Sequence, residues 1–190
     1  MNSITVKYET MIDDTGRALF LSEGINPVLL PPMIKNVEVL CLNRIYKGVG
    51  MRNRRGGMWF YSKDFPSDGP VTIDEPGPLC FPLTKGERCK ACCLFTNLFD
   101  YLSYKQLINS KSGWGLPCGC DCYVMADFRN FVNLMLDSEY YEHVYCFFPN
   151  TQLGKSMART IITRNRSRVT SVLPFYEGYK SLHDYALNLN

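Results

Sequence analysis

Histidine is scarce, with two in 190 residues, and the formal charge is only +3. Few general bases are therefore on offer, and bulk electrostatics neither demand nor exclude an anionic partner. No run approaches the ~18–20 apolar residues of a membrane span. The N-terminus, "MNSITVKYETMIDDTGR", has no continuous apolar stretch of the secretory kind. No internal repeat is present. These absences lead us to expect a soluble, intracellular chain with no membrane association and no recognisable nucleophile motif.

What is present is apolar and rich in thiols. The chain is 46% hydrophobic and 13% aromatic, enough for one substantial core, and we expect a single domain over residues 1–190. Its nine cysteines are an odd number in a chain read as intracellular, which fits a disulfide framework poorly and makes metal-bound thiolates the next hypothesis. Residues 1–65 favour strands: "SITVKY" alternates, "VEVLCLNRIY" (Val37 to Tyr46) is rich in β-branched residues, and "GMWFYS" follows a Gly-Gly turn signal. Residues 66–82, "PSDGPVTIDEPGPLCFP", read as an ordered loop. Two helical patterns follow within 83–150, one from Leu94 to Ile108 and one through Met125, Phe128, Val132, Met135 and Leu136. Residues 151–190 read as a hairpin, "ARTIIT" and "RVTSVLPF" around Asn165-Arg166-Ser167, with a short helix from about Ser181. The expected class is α+β, stabilised by one or two structural zinc sites.

The zinc expectation rests on two cysteine groups, Cys89, Cys92 and Cys93 in "CKACC" and Cys118, Cys120 and Cys122 in "CGCDC". A Cys-x-x-Cys turn aims two sulfurs at one point about 2.3 Å from the ion, and a second pair closes the tetrahedron. Cys89, Cys92, Cys118 and Cys120 are the expected core ligands, with Cys80, Cys146, His143 and His183 available to a second site. Buried free cysteine is the competing reading. A closed site of this kind has no open position for catalysis, which argues for a binding protein.

Cations concentrate at Arg52, Arg54 and Arg55 and again at Arg159, Arg164, Arg166 and Arg168. Brought together beside Trp59, Phe60 and Tyr61, they would form a patch able to meet phosphates and stack bases. Two solvated turns are the alternative. "GVGMRNRRGG" lacks the Gly-Lys-Ser/Thr ending of a phosphate loop. His183 next to Asp184 suggests acid–base chemistry only weakly, because adjacent helical residues point apart.

Four stretches in order, "LLPPMIKNVEVLCLNRIYKGVG", "LTKGERCKACC", "GWGLPCGC" and "TSVLPFYEGYKSLHDYALNLN", resemble the adenovirus early region 4 34-kilodalton protein family. The resemblance implies a viral adaptor without catalysis of its own, acting in the host nucleus and cytoplasm. It would join elongin and cullin proteins and a large viral early-region-1B-type protein in a ubiquitin ligase. It also implies zinc at Cys89, Cys92, Cys93, Cys118 and Cys120, with Cys122 as a substitute, because Pro117 and Gly119 stand where the family has histidines. For the elongin-binding box the nearest segment is Ser181-Leu182 with Ala186, whose final apolar position falls on Asn190. A zinc-stabilised nucleic-acid-binding regulator using the two arginine clusters is the alternative function.

Overall fold

The computed structural model describes residues 4–84, 86, 89–164 and 167–189. It is α+β and divides into two compact units, Met1–Leu79 and Cys80–Asn190. No helix of the described residues is long and apolar enough to cross a membrane.

The first unit is an antiparallel meander in the order β1-β2-β3-β4-β5, with β1 Thr5–Met11, β2 Lys35–Cys41, β3 Arg44–Arg52, β4 Met58–Tyr61 and β5 Val71–Ile73. Alternate residues Val37, Val39 and Cys41 point into a core shared with Tyr46, Met58, Phe60, Phe65 and Ile73, as the two-residue period of a half-buried strand requires. Helix α1, Asp14–Ser22, is capped by Asp13, whose carboxylate accepts the Gly16 amide at 3.0 Å. At Gly16 the helix lies so close to β2 and β3 that a Cβ would meet Asn36 Oδ1 at 2.2 Å and Val49 Cγ1 at 3.2 Å.

The run Val37 to Tyr46 is two strands, not one. Cys41 pairs with Arg44, so Leu42 and Asn43 form a two-residue hairpin turn with φ of 52° and 60°. That geometry belongs to a type I′ turn, which favours Asn and Gly; a leucine there gives no turn signal.

The second unit carries a sheet in the order β10-β9-β7-β8-β6, in which β10, β9, β7 and β8 run parallel. Its elements are β6 Leu79–Phe81, β7 Ala91–Phe95, α2 Leu98–Ile108, β8 Asp121–Val124, α3 Phe131–Ser138, β9 His143–Phe147, α4 Gln152–Arg164, β10 Val169–Ser171 and α5 Leu182–Leu187. On one sheet face Phe95 and Phe147 stack at 4.7 Å under Tyr101 and Tyr104 of α2. On the other, Cys92, Leu94, Val144 and Cys146 pack with Leu134 of α3 and Met157, Ala158 and Ile161 of α4.

Three expectations are corrected here. Cys92 and Cys93 lie on β7 and Cys122 on β8, and Leu94, expected to begin a helix, belongs to β7. The terminal hairpin is a helix, α4, followed by a strand parallel to β9; Asn165 and Arg166, in its expected turn, lie outside the described residues. The β-branched run "TIIT" favours a strand by local preference, but Met157, Ala158 and Ile161 are buried at helical spacing and the Thr160 hydroxyl donates to the Ser156 carbonyl at 3.0 Å. Tertiary burial overrides propensity. The short C-terminal helix is present, capped by the Ser181 hydroxyl.

Replacing Leu42 by Asn relieves a left-handed leucine, a conformation costing roughly 1–2 kcal/mol outside Gly, Asn and Asp. Urea unfolding of Leu42→Asn is expected to show a gain of about 1 kcal/mol; a lowered midpoint would contradict the type I′ turn.

Candidate functional site

In open α/β sheets ligands bind beyond the carboxyl ends of the strands, at the point where successive connections leave in opposite directions. Here β7 connects through α2 to β8 on one side, and β9 connects through α4 to β10 on the other, so that point lies between β7 and β9. Three loops meet at this edge.

The β7–α2 loop is Thr96-Asn97. Asn97 caps α2 by accepting the Asp100 amide at 2.8 Å, and its Nδ2 donates to Asp100 Oδ2 at 2.6 Å. Asp100 is fully buried and its Oδ1 accepts the His183 amide at 2.9 Å, which ties α2 to α5. His183 stacks on Phe99 and shares a 2.8 Å hydrogen bond with Ser103, so it is a structural histidine. Burial pushes the Asp100 carboxyl up to about 6, against the hydrogen bonds from His183, Ser181 and Asn97 that favour its charge.

The β8–α3 loop is held rigidly. Met125 and Ala126 donate to Phe95 and Thr96 carbonyls at 2.8 and 3.0 Å, and Asn130 Nδ2 donates to the Met125 carbonyl at 2.9 Å. Ala126 has φ of +62°, an uncommon state for a residue with a Cβ. Asp127 accepts the Arg129 amide at 2.8 Å and grips the Arg129 guanidinium with both oxygens, which holds its carboxyl below the usual range.

The β9–α4 loop runs through Pro149, Asn150 and Thr151. Thr151 Oγ1 accepts the Gly154 amide at 3.1 Å, and a Cβ on Gly154 would meet the Pro149 carbonyl at 2.1 Å, so only glycine lets the helix start this close to its own loop. Helix α4 contains no acidic residue and carries Lys155, Arg159 and Arg164. Arg164 pairs with Glu139, whereas Lys155 and Arg159 are exposed and make no ion pair among the described residues. The sequence reading missed Lys155 altogether and placed Arg159 on a strand; the signal was the helical spacing of Met157, Ala158 and Ile161 in an acid-free segment.

The expected arginine clusters belong to different units, and most of their charge is already used. Arg52 pairs with Glu9 and donates to the Gly56 carbonyl, and Arg55 lies 3.4 Å from Glu75. Arg54 is exposed. Arg168 donates to the Glu139 and Tyr141 carbonyls at 3.0 and 3.2 Å, a structural role. Arg166 lies outside the described residues. Trp59 and Phe60 are buried and Tyr61 donates to Glu23, so these aromatics do not face a ligand as expected.

Of the six expected metal ligands, Cys92, Cys93 and Cys122 lie on β7 and β8, and Cys89, Cys118 and Cys120 lie in the segments that lead into them. Cys92 packs with Cys146, while Cys93 faces the other way and is in hydrogen-bond contact with the thiols of Cys120 and Cys122. Burial and these contacts push the Cys93 thiol well up, and its proton, offered to Cys120, holds that thiol below its ordinary value. Cys118 is exposed, and Cys89 shares a hydrogen bond with Asp121. Among the described residues no group of three or more His, Cys, Asp or Glu is placed to hold a metal ion.

The first unit has a cleft of about 470 Å³, lined in part by Asp13, Leu19, Asn36, Val37, Lys47 and Lys63. Its two lysines pair with Glu38 and Glu23.

No protein-family model and no curated protein matches the chain. Among solved structures it is similar to the primase fragment of the bacteriophage T7 primase-helicase protein, with a TM-score of 0.61 and 13% identity over 88% of this chain and 68% of that one. It also matches the DnaG primase catalytic domain bound to ssDNA, with a TM-score of 0.46 and 10% identity over 98% of this chain and 68% of that one. The first likeness is one of fold. It overturns the expected ubiquitin-ligase adaptor and the expectation of a chain without catalysis, because the fold is one found in a primase, an enzyme. The short stretches behind those expectations are used here for packing: Cys92, Cys93 and Cys122 lie inside strands, and "TSVLPF" runs from the end of β10 into a 3-10 turn.

Two outcomes follow from the site. Asp100 has a folded pKa of about 6 against an ordinary 3.8, so the folded chain keeps a proton that the unfolded chain loses. Stability should fall as pH rises from about 4 to about 6, by about 3 kcal/mol relative to Asp100→Asn. Denaturant titrations of both proteins across that window measure it, and a constant difference between them would refute it. Cys118 should be the first thiol alkylated in the native protein, and Cys118→Ser should remove that fast phase.

Proposed function

We propose that the chain is a nucleic-acid-binding protein, with the second unit meeting phosphates along α4. The carrying observation is the likeness of fold, over 88% of the chain, to a primase fragment. The chemistry of α4 supports it: a helix with three cations and no acid starts at the carboxyl edge of a parallel sheet, and two of its cations, Lys155 and Arg159, have no ion-pair partner among the described residues. Nucleic-acid affinity rests largely on such contacts, each of which displaces a condensed counterion. This reading keeps Arg159 from the second arginine cluster, adds Lys155, and leaves out Arg52, Arg55, Arg164 and Arg168, whose guanidiniums are engaged within the fold.

The test is the salt dependence of binding to a labelled single-stranded oligonucleotide. Each phosphate contact contributes about 0.7 to the slope of log K against log salt on single strands, so Lys155→Ala/Arg159→Ala should flatten the slope by about 1.4. Arg52→Ala/Arg55→Ala should leave it nearly unchanged. Binding that ignores salt, or an equal slope in the α4 variant, defeats the proposal.

A further inference from the structure

The buried residues of α4, Gly154, Met157, Ala158 and Ile161, span an arc of about 100° at 3.6 residues per turn. On the opposite side, within a second arc of about 100°, lie Gln152, Lys155, Ser156, Arg159 and Thr163, all of them exposed. Four of these, Gln152, Ser156, Arg159 and Thr163, follow one another in steps of four, three and four residues and so form a single row. The row is about 16 Å long at 1.5 Å per residue, and Lys155 stands beside its first turn. The exposed Leu153 lies to one side of it, about 100° around the helix from Gln152.

This face is chemically uniform. Every member donates hydrogen bonds, none is acidic and none is aromatic. Gln152, Ser156 and Thr163 make no side-chain hydrogen bond among the described residues. Thr160, off the row, spends its hydroxyl on the Ser156 carbonyl. A face that only meets water commonly mixes charges of both signs, with acids and bases paired four residues apart. Here there is nothing for the cations to pair with on their own helix. On α3, by contrast, the exposed Val132 and Leu136 are apolar. Phosphate oxygens are acceptors, and Lys, Arg, Ser, Thr and Gln side chains are the groups that donate to them; such contacts position a strand and carry no sequence information.

Resting on the nucleic-acid reading above, we infer that the outer face of α4 holds a run of sugar–phosphate backbone, with Gln152, Ser156 and Thr163 donating neutral hydrogen bonds to phosphate oxygens alongside the charge contacts of Lys155 and Arg159. The two kinds of contact are separable. A cation displaces a condensed counterion and so sets the salt slope, whereas a neutral donor displaces none and adds affinity at every salt concentration. Because the bases are not read, binding is indifferent to their order.

The test uses the full chain with three labelled single-stranded probes of equal length: oligo-thymidylate, a mixed-sequence oligomer and an abasic sugar–phosphate oligomer. The wild type should bind all three alike. Gln152→Ala/Ser156→Ala/Thr163→Ala should weaken each by about 2- to 12-fold for every donor removed, with the salt slope and the thermal midpoint unchanged. Ser156→Thr and Thr163→Ser keep the hydroxyl and should bind as the wild type does, as should Thr160→Ala. If the wild type binds with the expected salt slope but the triple variant binds equally well, the neutral row is overturned and the nucleic-acid reading stands. A preference of more than about 5-fold between the two sequences, the discrimination of one base-reading pair, or failure on the abasic probe means that bases are read, and overturns the inference. Displacement of the oligomer by poly-glutamate at equal charge concentration makes the face a general anion-binding surface and also overturns it. If the wild type binds none of the probes, both readings fall.

Discussion

Strand β7 must be covered on both faces, and the rest of the second unit follows from that requirement. Cys92, Cys93, Leu94 and Phe95 are all wholly inaccessible, so every side chain of the strand after Ala91 has lost its water. A centrally placed parallel strand with no solvated face reads as a continuous apolar run, and needs helices above and below it. Helix α2 supplies one layer through Tyr101 and Tyr104, and α3 with α4 supplies the other. To reach both faces the chain must leave β7 in one direction and β9 in the opposite one. The crevice between these strands and the sharing of one sheet face by α3 and α4 are thus by-products of burying one strand.

The same requirement explains which parts of the fold could be read from residues alone. Strands β1 and β4 and helix α5 announce themselves by alternation, by a Gly-Gly turn and by a Ser cap, all local signals. Leu42 announces nothing, because its left-handed turn is imposed by the pairing of Cys41 with Arg44. Helix α4 looks like a strand by composition and becomes a helix because Met157, Ala158 and Ile161 find an apolar sheet face to cover. The thiols are ambiguous in a similar way. Cys118 and Cys120 read as a chelating pair with Cys122 as a substitute, yet a two-residue spacing is also the spacing of one strand face, and Cys120 and Cys122 both lie against Cys93.

The candidate site was legible only as charge. Arginine clusters stand out in a sequence, but a sequence does not show that Glu9, Glu75 and Glu139 lie within reach of Arg52, Arg55 and Arg164. Exposed ion pairs of this kind contribute little stability, about 0–1 kcal/mol each. Their larger effect is to remove charge from what a ligand can meet. What counts at the surface is therefore the residue left over after such pairing. Lys155 and Arg159 qualify because α4 has no acid of its own.

The two edges of the parallel sheet make the contrast concrete. At the amino edge Asp121 is buried, and its carboxylate accepts the Leu83 amide at 2.9 Å, the Cys89 amide at 3.2 Å and the Tyr141 hydroxyl at 2.9 Å. Burial alone would raise its pKa; these hydrogen bonds outweigh that and hold it below the usual carboxylate range. That edge spends its polar groups on its own loops. At the carboxyl edge Asp100 and Asp127 are equally committed, one to α5 and one to Arg129. Beyond them, Lys155 and Arg159 stand on a helix anchored by Met157, Ala158 and Ile161, yet their charges are not consumed by the packing. A buried carboxylate without partners would cost several kcal/mol, so the acids must be satisfied internally before the fold is stable. Two exposed cations carry no such cost, and the fold can leave them unpaired on its surface.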